Sequence, residues 1–196
     1  MAQHRLRRIK TKSPVARISY PDPDAQSDEL RDQLKRLGSL NVTRMMSHAE
    51  GLMSAYSRMA TELLLRGKLD PVVRELVILR VGQLCGSDYE WHQHISVARA
   101  IGTEEAKLDA LQSGRFEKLQ PEELAALRVA EDIQRLGKAS PENFVEAQRW
   151  FSAEQLVELV MVTGYYIMTA GFLQSFDIEI EDTPPLGASF KATRNK

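Results

Sequence analysis

The sequence predicts an all-α protein. Over most of its length, apolar residues recur three and four positions apart, which is the spacing of one helix face. Residues that start and stop helices, such as the pair Asp70-Pro71 and the later Gly102, bound these segments. No stretch alternates apolar and polar residues for long enough to predict a strand. With 196 residues, 43% of them apolar and 27% charged, the chain has the size and composition of one soluble globular domain.

The N-terminal part begins with an extended section and continues with two helical segments. The opening section contains three prolines and ends in an acidic cluster. A short amphipathic helix follows, with Leu30 and Leu34 on its apolar face and Gly38 as its predicted end. A Met-rich helical segment is then predicted from Val42 to Arg66. Its Met and Tyr residues, and those at 161–168, suit either a hydrophobic ligand pocket or a core, and we interpret them as core.

Two consecutive helices form the predicted centre of the fold. The first runs from Pro71 to about Leu84 and is apolar on nearly every face, which is typical of a fully surrounded helix. Asp70 is its predicted N-cap. The second runs from about Asp88 to Ile101. Four further helices are predicted, at Glu104 to Leu111, Pro121 to Leu136, Pro141 to Trp150 and Ala153 to Leu173.

The last of these helices contains an apolar run with two interpretations. From Leu156 to Leu173 there are eighteen residues with a single charge, Glu158. This length lies at the lower edge of a membrane span. The run also holds Thr163 and Thr169, however, and a helix apolar on most faces is equally what a core or a subunit interface requires. We therefore predict no membrane segment, and a homo-oligomer to whose interface this helix and the Met-rich segment contribute.

The net charge and the single cysteine indicate which partners and which cellular compartment to expect. The formal net charge is -1 at pH 7, so the overall charge does not favour nucleic acid as a partner. The single cysteine, Cys85, cannot form an intrachain disulfide, which suits a cytoplasmic protein. We divide the chain into a basic, proline-containing arm at 1–23, a helical domain at 24–180 and a polar tail at 181–196. The arm does not have the pattern of a signal peptide, and a solvated tail is favoured over a phosphate-binding segment.

Glu75 and His94 are the first candidate catalytic residues. On a helical wheel, His94 falls inside the apolar arc of the second central helix, whereas His92 falls on the opposite side. Glu75 lies in the most apolar helix, where a carboxylate is costly unless it is paired. If the two helices pack as a hairpin, Glu75 reaches His94, and a buried carboxylate beside an imidazole orients the ring for general-base catalysis. A structural ion pair that joins the two helices is the alternative, and the spacing does not decide between them.

Glu90, the third candidate, lies in the same apolar arc as His94. Ser87 and Glu90 have the Ser-x-x-Glu spacing of a capping box. The positive end of the helix dipole also favours the ionised form of a carboxyl in the first turn. We therefore predict capping and an electrostatic role for Glu90 rather than proton donation. A metal site made of Glu75, Glu90 and His94 lacks a second inward histidine, so we predict neither a metal nor a cofactor.

Cys85 is an alternative nucleophile. It precedes the second central helix closely, and thiolates are stabilised at helix N-termini. It has no second cysteine at Cys-x-x-Cys spacing, and we interpret it as a small core residue.

Several runs of this sequence resemble the carboxymuconolactone decarboxylase-like family. They extend from Leu69 to Val81, from Tyr89 to His94 and from Ala98 to Gly102, and the late Gly164-Tyr165-Tyr166 agrees with them. The resemblance covers residues 40–180. It implies an oligomeric helical bundle of the alkylhydroperoxidase D type, since dimers, trimers and hexamers are common in the family.

The resemblance also implies which site residues are retained. In the alkylhydroperoxidase D branch, a Cys-x-x-Cys motif opens the second central helix. Ser87 and Glu90 stand at these two cysteine positions, while His94 and Glu75 match the branch's histidine and glutamate. Cys85 lies two positions before Ser87, too early to replace either cysteine. The resemblance therefore implies a branch that lacks dithiol peroxidase chemistry and retains the residues of the proton relay.

The functional hypothesis is a cofactor-free acid-base enzyme, of the decarboxylase-like lyase type, acting on a small organic acid or lactone. His94 serves as general base or acid, Glu75 orients and polarises it, and Glu90 shapes the electrostatics of the pocket. One alternative is a non-catalytic oligomer that binds a small ligand in the same pocket. Another is a degenerate alkylhydroperoxidase-type antioxidant protein acting through Cys85.

Overall fold

The computed structural model describes residues 16–182 and 185–187, and every regular element in this part of the chain is helical. The all-α prediction is confirmed. The described α-helices are α1 (Asp28–Arg36), α2 (Asn41–Met46), α3 (Glu50–Thr61), α4 (Pro71–Cys85), α5 (Asp88–Ile101), α6 (Glu105–Ser113), α7 (Pro121–Leu136), α8 (Pro141–Ala147) and α9 (Ala153–Ser175). Short 3-10 turns occur at Pro23–Ala25 and Ser47–Ala49, and a π-helical turn at Glu62–Arg66 extends α3.

Helix α4 lies at the centre of the fold, as its composition predicts. It packs against α5, α7 and α9 at once. Its apolar side chains from Leu76 to Leu79 have no exposed surface. Asp70 is its N-cap, because the Asp70 carboxylate accepts hydrogen bonds from the backbone N–H groups of Val72 and Val73 at 2.8 and 3.1 Å.

A tight turn brings α5 back along α4. Gly86 ends α4 in the left-handed conformation, with φ 65°, where glycine carries no steric penalty. The backbone N–H of Ser87 then donates to the Gly82 carbonyl at 2.8 Å. Gly82 also permits the close approach of the two helices, since a Cβ placed there would lie 3.4 Å from the Glu90 Cβ. This antiparallel pair is the hairpin that the predicted site requires.

The Met-rich segment differs from its prediction in one respect. It is not one helix, because Ala49 leaves the helical conformation (φ −124°, ψ 77°) and separates α2 from α3. Its methionines Met45, Met46 and Met53 are buried in a smaller core with α1 residues and Leu173. These three side chains are covered within one chain, and the contribution of the segment to a subunit interface stays a prediction.

Helix α9 combines a buried face with an exposed apolar one. Its inner face, which includes Leu159, Tyr166 and Ala170, packs into the main core and against α4. By length and composition it is the one helix among residues 16–182 and 185–187 that could cross a membrane, and half of its most apolar stretch is buried inside the fold.

The described parts of the predicted arm and tail pack against the helices. The Arg17 backbone N–H donates to the Phe176 carbonyl at 2.9 Å, and the Tyr20 hydroxyl donates to Glu179 at 3.0 Å. From the tail, the Leu186 backbone N–H donates to the Gln93 side chain at 2.9 Å. The rest of the predicted basic arm, residues 1–15, lies outside the described residues.

We expect a larger side chain at Gly82 to separate α4 from α5. Val at this position places extra atoms against the Glu90 Cβ, which should lower the free energy of unfolding by about 1–3 kcal/mol. The matched control is Gly51→Val, because Gly51 is exposed on α3 with no atom within 4 Å of an added Cβ. Urea unfolding measures both variants, and equal effects would contradict the role assigned to Gly82.

Candidate active site

Glu75 is held at the centre of a buried polar cluster. Its side chain has 0% exposure, yet both carboxylate oxygens are hydrogen-bonded. The Arg74 Nε donates to Glu75 Oε1 at 3.0 Å, and His94 Nδ1 lies 2.8 Å from Glu75 Oε2. Arg74 is itself only 5% exposed. The predicted contact between Glu75 and His94 is present, and Arg74 is a third member that the sequence reasoning missed.

The hydrogen bond to Glu75 determines how the His94 ring is presented. A carboxylate beside Nδ1 accepts the proton of that nitrogen and leaves Nε2 with a lone pair. His94 is 4% exposed, and its Nε2 has no hydrogen-bond partner among the described residues. The edge of the His94 ring packs against Tyr166 with ring centroids 4.7 Å apart. The ring is therefore oriented from two sides, and Nε2 is available on the cavity that His94 lines.

The cavity beside His94 has a volume of about 380 Å³. It extends from buried Glu90 and His94 to Arg36, Gly38 and Leu65, which are exposed at its rim, so it opens to solvent. Its walls are mainly aliphatic and aromatic, and they include Leu37, Leu40, Val42, Tyr56, Leu64, Tyr165 and Tyr166. The segments that supply these side chains are far apart in the sequence, and only the packing of α3, α5 and α9 brings them together.

Glu90 differs most from its prediction. The Glu90 backbone N–H donates to Ser87 Oγ at 3.4 Å, so Ser87 caps α5. The Glu90 carboxyl does not complete a capping box, because the Ser87 backbone N–H donates to Gly82 instead. Both Glu90 carboxyl oxygens are buried, and neither has a hydrogen-bond partner among the described residues. The predicted capping role of the Glu90 side chain is therefore wrong.

Burial also reverses the predicted protonation of Glu90. Its side chain is 2% exposed, and desolvation raises the pKa of the carboxyl to about 8, against a small lowering by Ser87. The helix dipole favours the ionised form but is outweighed by the loss of water around both oxygens. Glu90 is therefore mainly a neutral acid at pH 7, and it lines the same cavity as His94. The argument against proton donation by Glu90 is overturned.

The tyrosines that we interpreted as core form a wall of the cavity. Tyr56 stacks on Tyr165 with ring centroids 4.7 Å apart, and the Tyr165 hydroxyl donates to the Tyr56 carbonyl at 3.1 Å. Burial raises the pKa of Tyr56 and Tyr166, so both remain neutral phenols at physiological pH. Aromatic residues that recur at helical spacing were the sequence signal for this cavity wall. The same spacing occurs in ordinary cores, so the signal did not distinguish the two.

The remaining candidates lie outside this arrangement. His92 is half-buried and does not line the cavity, in agreement with its predicted direction. Cys85 is the last residue of α4, and the negative end of that helix disfavours a thiolate. Burial, followed by the nearby Glu90, raises the pKa of the Cys85 thiol. Among the residues that the structure describes, no three His, Cys, Asp or Glu side chains are grouped to hold a metal ion.

Comparison with known proteins supports the resemblance seen in the motifs. Residues 50–132, which include all of α3 and both central helices, match the model of the carboxymuconolactone decarboxylase family. Over these residues the chain is therefore similar to the family that its motifs resemble. A search of the curated proteins finds no significant match.

Solved structures show that the fold is of the alkylhydroperoxidase D type. A protein from Ralstonia eutropha JMP134, described as an uncharacterized peroxidase-related protein with an alkylhydroperoxidase AhpD core, has a TM-score of 0.76 at 16% identity, covering 91% of this chain and 95% of its own. An uncharacterized peroxidase-related protein from Silicibacter sp. TM1040 has a TM-score of 0.74 at 18% identity, with coverages of 89% and 96%. A cysteine-to-alanine variant of the debrominase Bmp8, in complex with 2,3,4-tribromopyrrole, has a TM-score of 0.69 at 16% identity, with coverages of 93% and 99%.

The raised pKa of Glu90 predicts a pH dependence of stability. Folded Glu90 keeps its proton to about pH 8, whereas the unfolded chain releases it near 4.5, so stability falls as the pH rises between these values. Relative to Glu90→Gln, the wild type should lose up to about 1.4 kcal/mol of unfolding free energy per pH unit from pH 5 to 8. Urea unfolding at several pH values measures this difference.

The control for this prediction is Glu154→Gln. Glu154 is an exposed acid in the first turn of α9, and its difference from the wild type should stay within about 0.5 kcal/mol over the same range. A flat difference for Glu90→Gln would mean that Glu90 is already ionised in the folded protein.

Proposed function

We propose that this protein is a cofactor-free acid-base enzyme acting on a small lactone or carboxylic acid. The observation that carries the proposal is the contact of Glu75 with His94 at the wall of a cavity that opens to solvent. A structural ion pair needs no such access. The neutral Glu90 on the same cavity adds a proton donor beside the base.

The arrangement supports a general base and a general acid on two different side chains, His94 and Glu90. His94 Nε2 takes a proton from an acidic C–H or O–H of the substrate, and the Glu75 carboxylate stabilises the imidazolium that forms. Glu90 delivers a proton to the carbon or oxygen on which negative charge develops. Two titratable groups whose environments favour opposite protonation states are a common arrangement for acid and base roles. Ring opening of a lactone by elimination uses both steps, because the base removes a C–H proton as the ring C–O bond breaks and the acid can protonate the released carboxylate. Decarboxylation uses the acid step, in which the carbanion left by the loss of CO2 takes up a proton.

The fold relatives support a small organic substrate. The debrominase Bmp8, which shares this fold, is bound to 2,3,4-tribromopyrrole, a small ring compound. Dithiol peroxidase chemistry is disfavoured here because Ser87 and Glu90 occupy the cysteine positions implied by the family resemblance. A single-cysteine antioxidant role is also disfavoured, since the raised pKa of the Cys85 thiol works against the reactive thiolate.

Substitution of His94 tests the proposal. In a screen of lactones and small carboxylic acids, His94→Ala should lower kcat/KM of an active substrate by about 10²–10⁴-fold, because the general base is lost. Circular dichroism should show that the helical fold is intact. The matched control is His92→Ala, two residues away and off the cavity, which should retain activity.

Two outcomes would contradict the enzyme proposal. If His94→Ala keeps its turnover, the Glu75–His94 pair is a structural link. If no compound is turned over and His94→Ala alters only the affinity for a bound compound, the non-catalytic binder is correct.

We also propose that the protein is a homo-oligomer, with the outer face of α9 as its interface. Val157, Val160, Met161 and Met168 are exposed on this face at spacings of three, one and seven residues, which aligns them along one side of the helix. Exposed apolar stripes of this kind commonly mark an interaction surface.

A charge within this stripe should weaken self-association. Met161→Glu would place an unpaired carboxylate in the interface. The dissociation constant of the assembly should therefore rise at least about tenfold. The control, Val145→Glu, changes an exposed apolar residue on α8 and should leave the assembly intact. Sedimentation velocity distinguishes the states. A monomeric wild type at all concentrations would overturn this interface.

A further inference from the structure

We infer that the cavity takes an uncharged, single-ring molecule that presents a hydrogen-bond acceptor to Glu90 and a weakly acidic proton to His94. The inference rests on the proposed function in taking this cavity as the working site, and it selects the uncharged, lactone-like class over the carboxylate class. It follows from the charges, the walls and the spacing of the polar groups.

The buried end of the cavity offers no free positive charge. Among the described lining residues, Arg36 is the one Lys or Arg, and it is exposed at the rim. Arg74 is buried close by, but its guanidinium donates to Glu75, whose carboxylate balances its charge, and it does not line the cavity. A carboxylate ligand beside His94 would therefore lose its hydration without gaining a cation, which is costly.

Glu90 strengthens the preference against anions. Its two oxygens are buried on this cavity without a partner among the described residues, so a ligand can satisfy them. As a neutral acid, Glu90 donates one hydrogen bond to an acceptor such as a carbonyl oxygen. When Glu90 ionises, it repels a ligand carboxylate. Among the described residues, the other titratable groups around it include Tyr56 of α3, Cys85 of α4, Tyr89 and His94 of α5, and Tyr165 and Tyr166 of α9.

Spacing and shape define the rest of the ligand. Glu90 and His94 are four residues apart on α5, so their side chains lie on one face, about 5–6 Å apart at Cβ. A ligand that bridges them needs an acceptor and an acidic proton within the reach of a single ring or a short side group. The flat rings of Tyr56, Tyr165 and Tyr166 favour a planar apolar body, and about 380 Å³ lies at the lower end of small-molecule sites.

Benzamide and benzoate are a matched pair for the test. They have nearly the same shape, but benzamide is neutral and offers both an acceptor and N–H protons, whereas benzoate is an anion. Titration calorimetry with the full chain at pH 6 should show benzamide binding at least about tenfold more tightly than benzoate. At pH 9, above the Glu90 pKa of about 8, the preference for benzamide should increase further in the wild type. In the Glu90→Gln variant, the preference for benzamide over benzoate should be the same at both pH values.

A second measurement locates the binding without any substitution. On addition of benzamide, the NMR signals of the His94 ring should shift, while those of the His92 ring should not, because His92 does not line the cavity. Equal or tighter binding of benzoate would overturn the inference. So would shifts at His92 alone, or a benzamide Kd above about 10 mM. These readouts do not depend on turnover, so an inactive but benzamide-selective protein would contradict the proposed function and not this inference.

Discussion

The fold and the candidate site both depend on the burial of the Glu75 carboxylate. Glu75 lies without exposure in the most enclosed helix, where an unpaired charge would cost several kcal/mol. Arg74 and His94 satisfy its two oxygens, and His94 is in reach only because α5 returns along α4 at the distance that Gly82 permits. The packing of the two central helices and the orientation of the histidine are therefore one constraint, since neither can change without leaving Glu75 Oε2 buried and without its hydrogen bond.

Two buried glutamates, one on each of the paired helices α4 and α5, show how environment separates chemical roles. Glu75 and Glu90 are the same residue type and are almost equally buried. The first has a cationic and an imidazole partner and serves as a carboxylate, whereas the second has no partner and stays protonated to about pH 8. One protein thus supplies a carboxylate that orients a base and a neutral acid, without a metal at either position in the mechanism that we propose.

Sequence reasoning predicted the helices better than the site. The bounds of α5 and α7 agree with the predicted ones because caps, prolines and glycines are local signals. The Met-rich segment was predicted as one helix because nothing in its composition indicates the break at Ala49. Glu75 and His94 were predictable as partners, since a carboxylate in an apolar helix demands a nearby donor. Arg74 was not predictable as a partner, because an arginine next to a glutamate is common on exposed helices. Only the burial of both side chains makes Arg74 a necessary partner of the Glu75 carboxylate.

The sequence by itself determined the all-helical class, the two central helices and the apolar faces on which Glu75 and His94 lie. These follow from periodicity and helix ends, which a short window of residues contains. Only the tertiary structure decided the protonation of Glu90 and the existence of the cavity. Desolvation of Glu90 is the sum of what α3, α4 and α9 place around it, and the Tyr56 and Tyr165 wall joins residues more than a hundred positions apart. Contacts between residues that are far apart in the sequence produce no pattern that a short stretch of sequence can show.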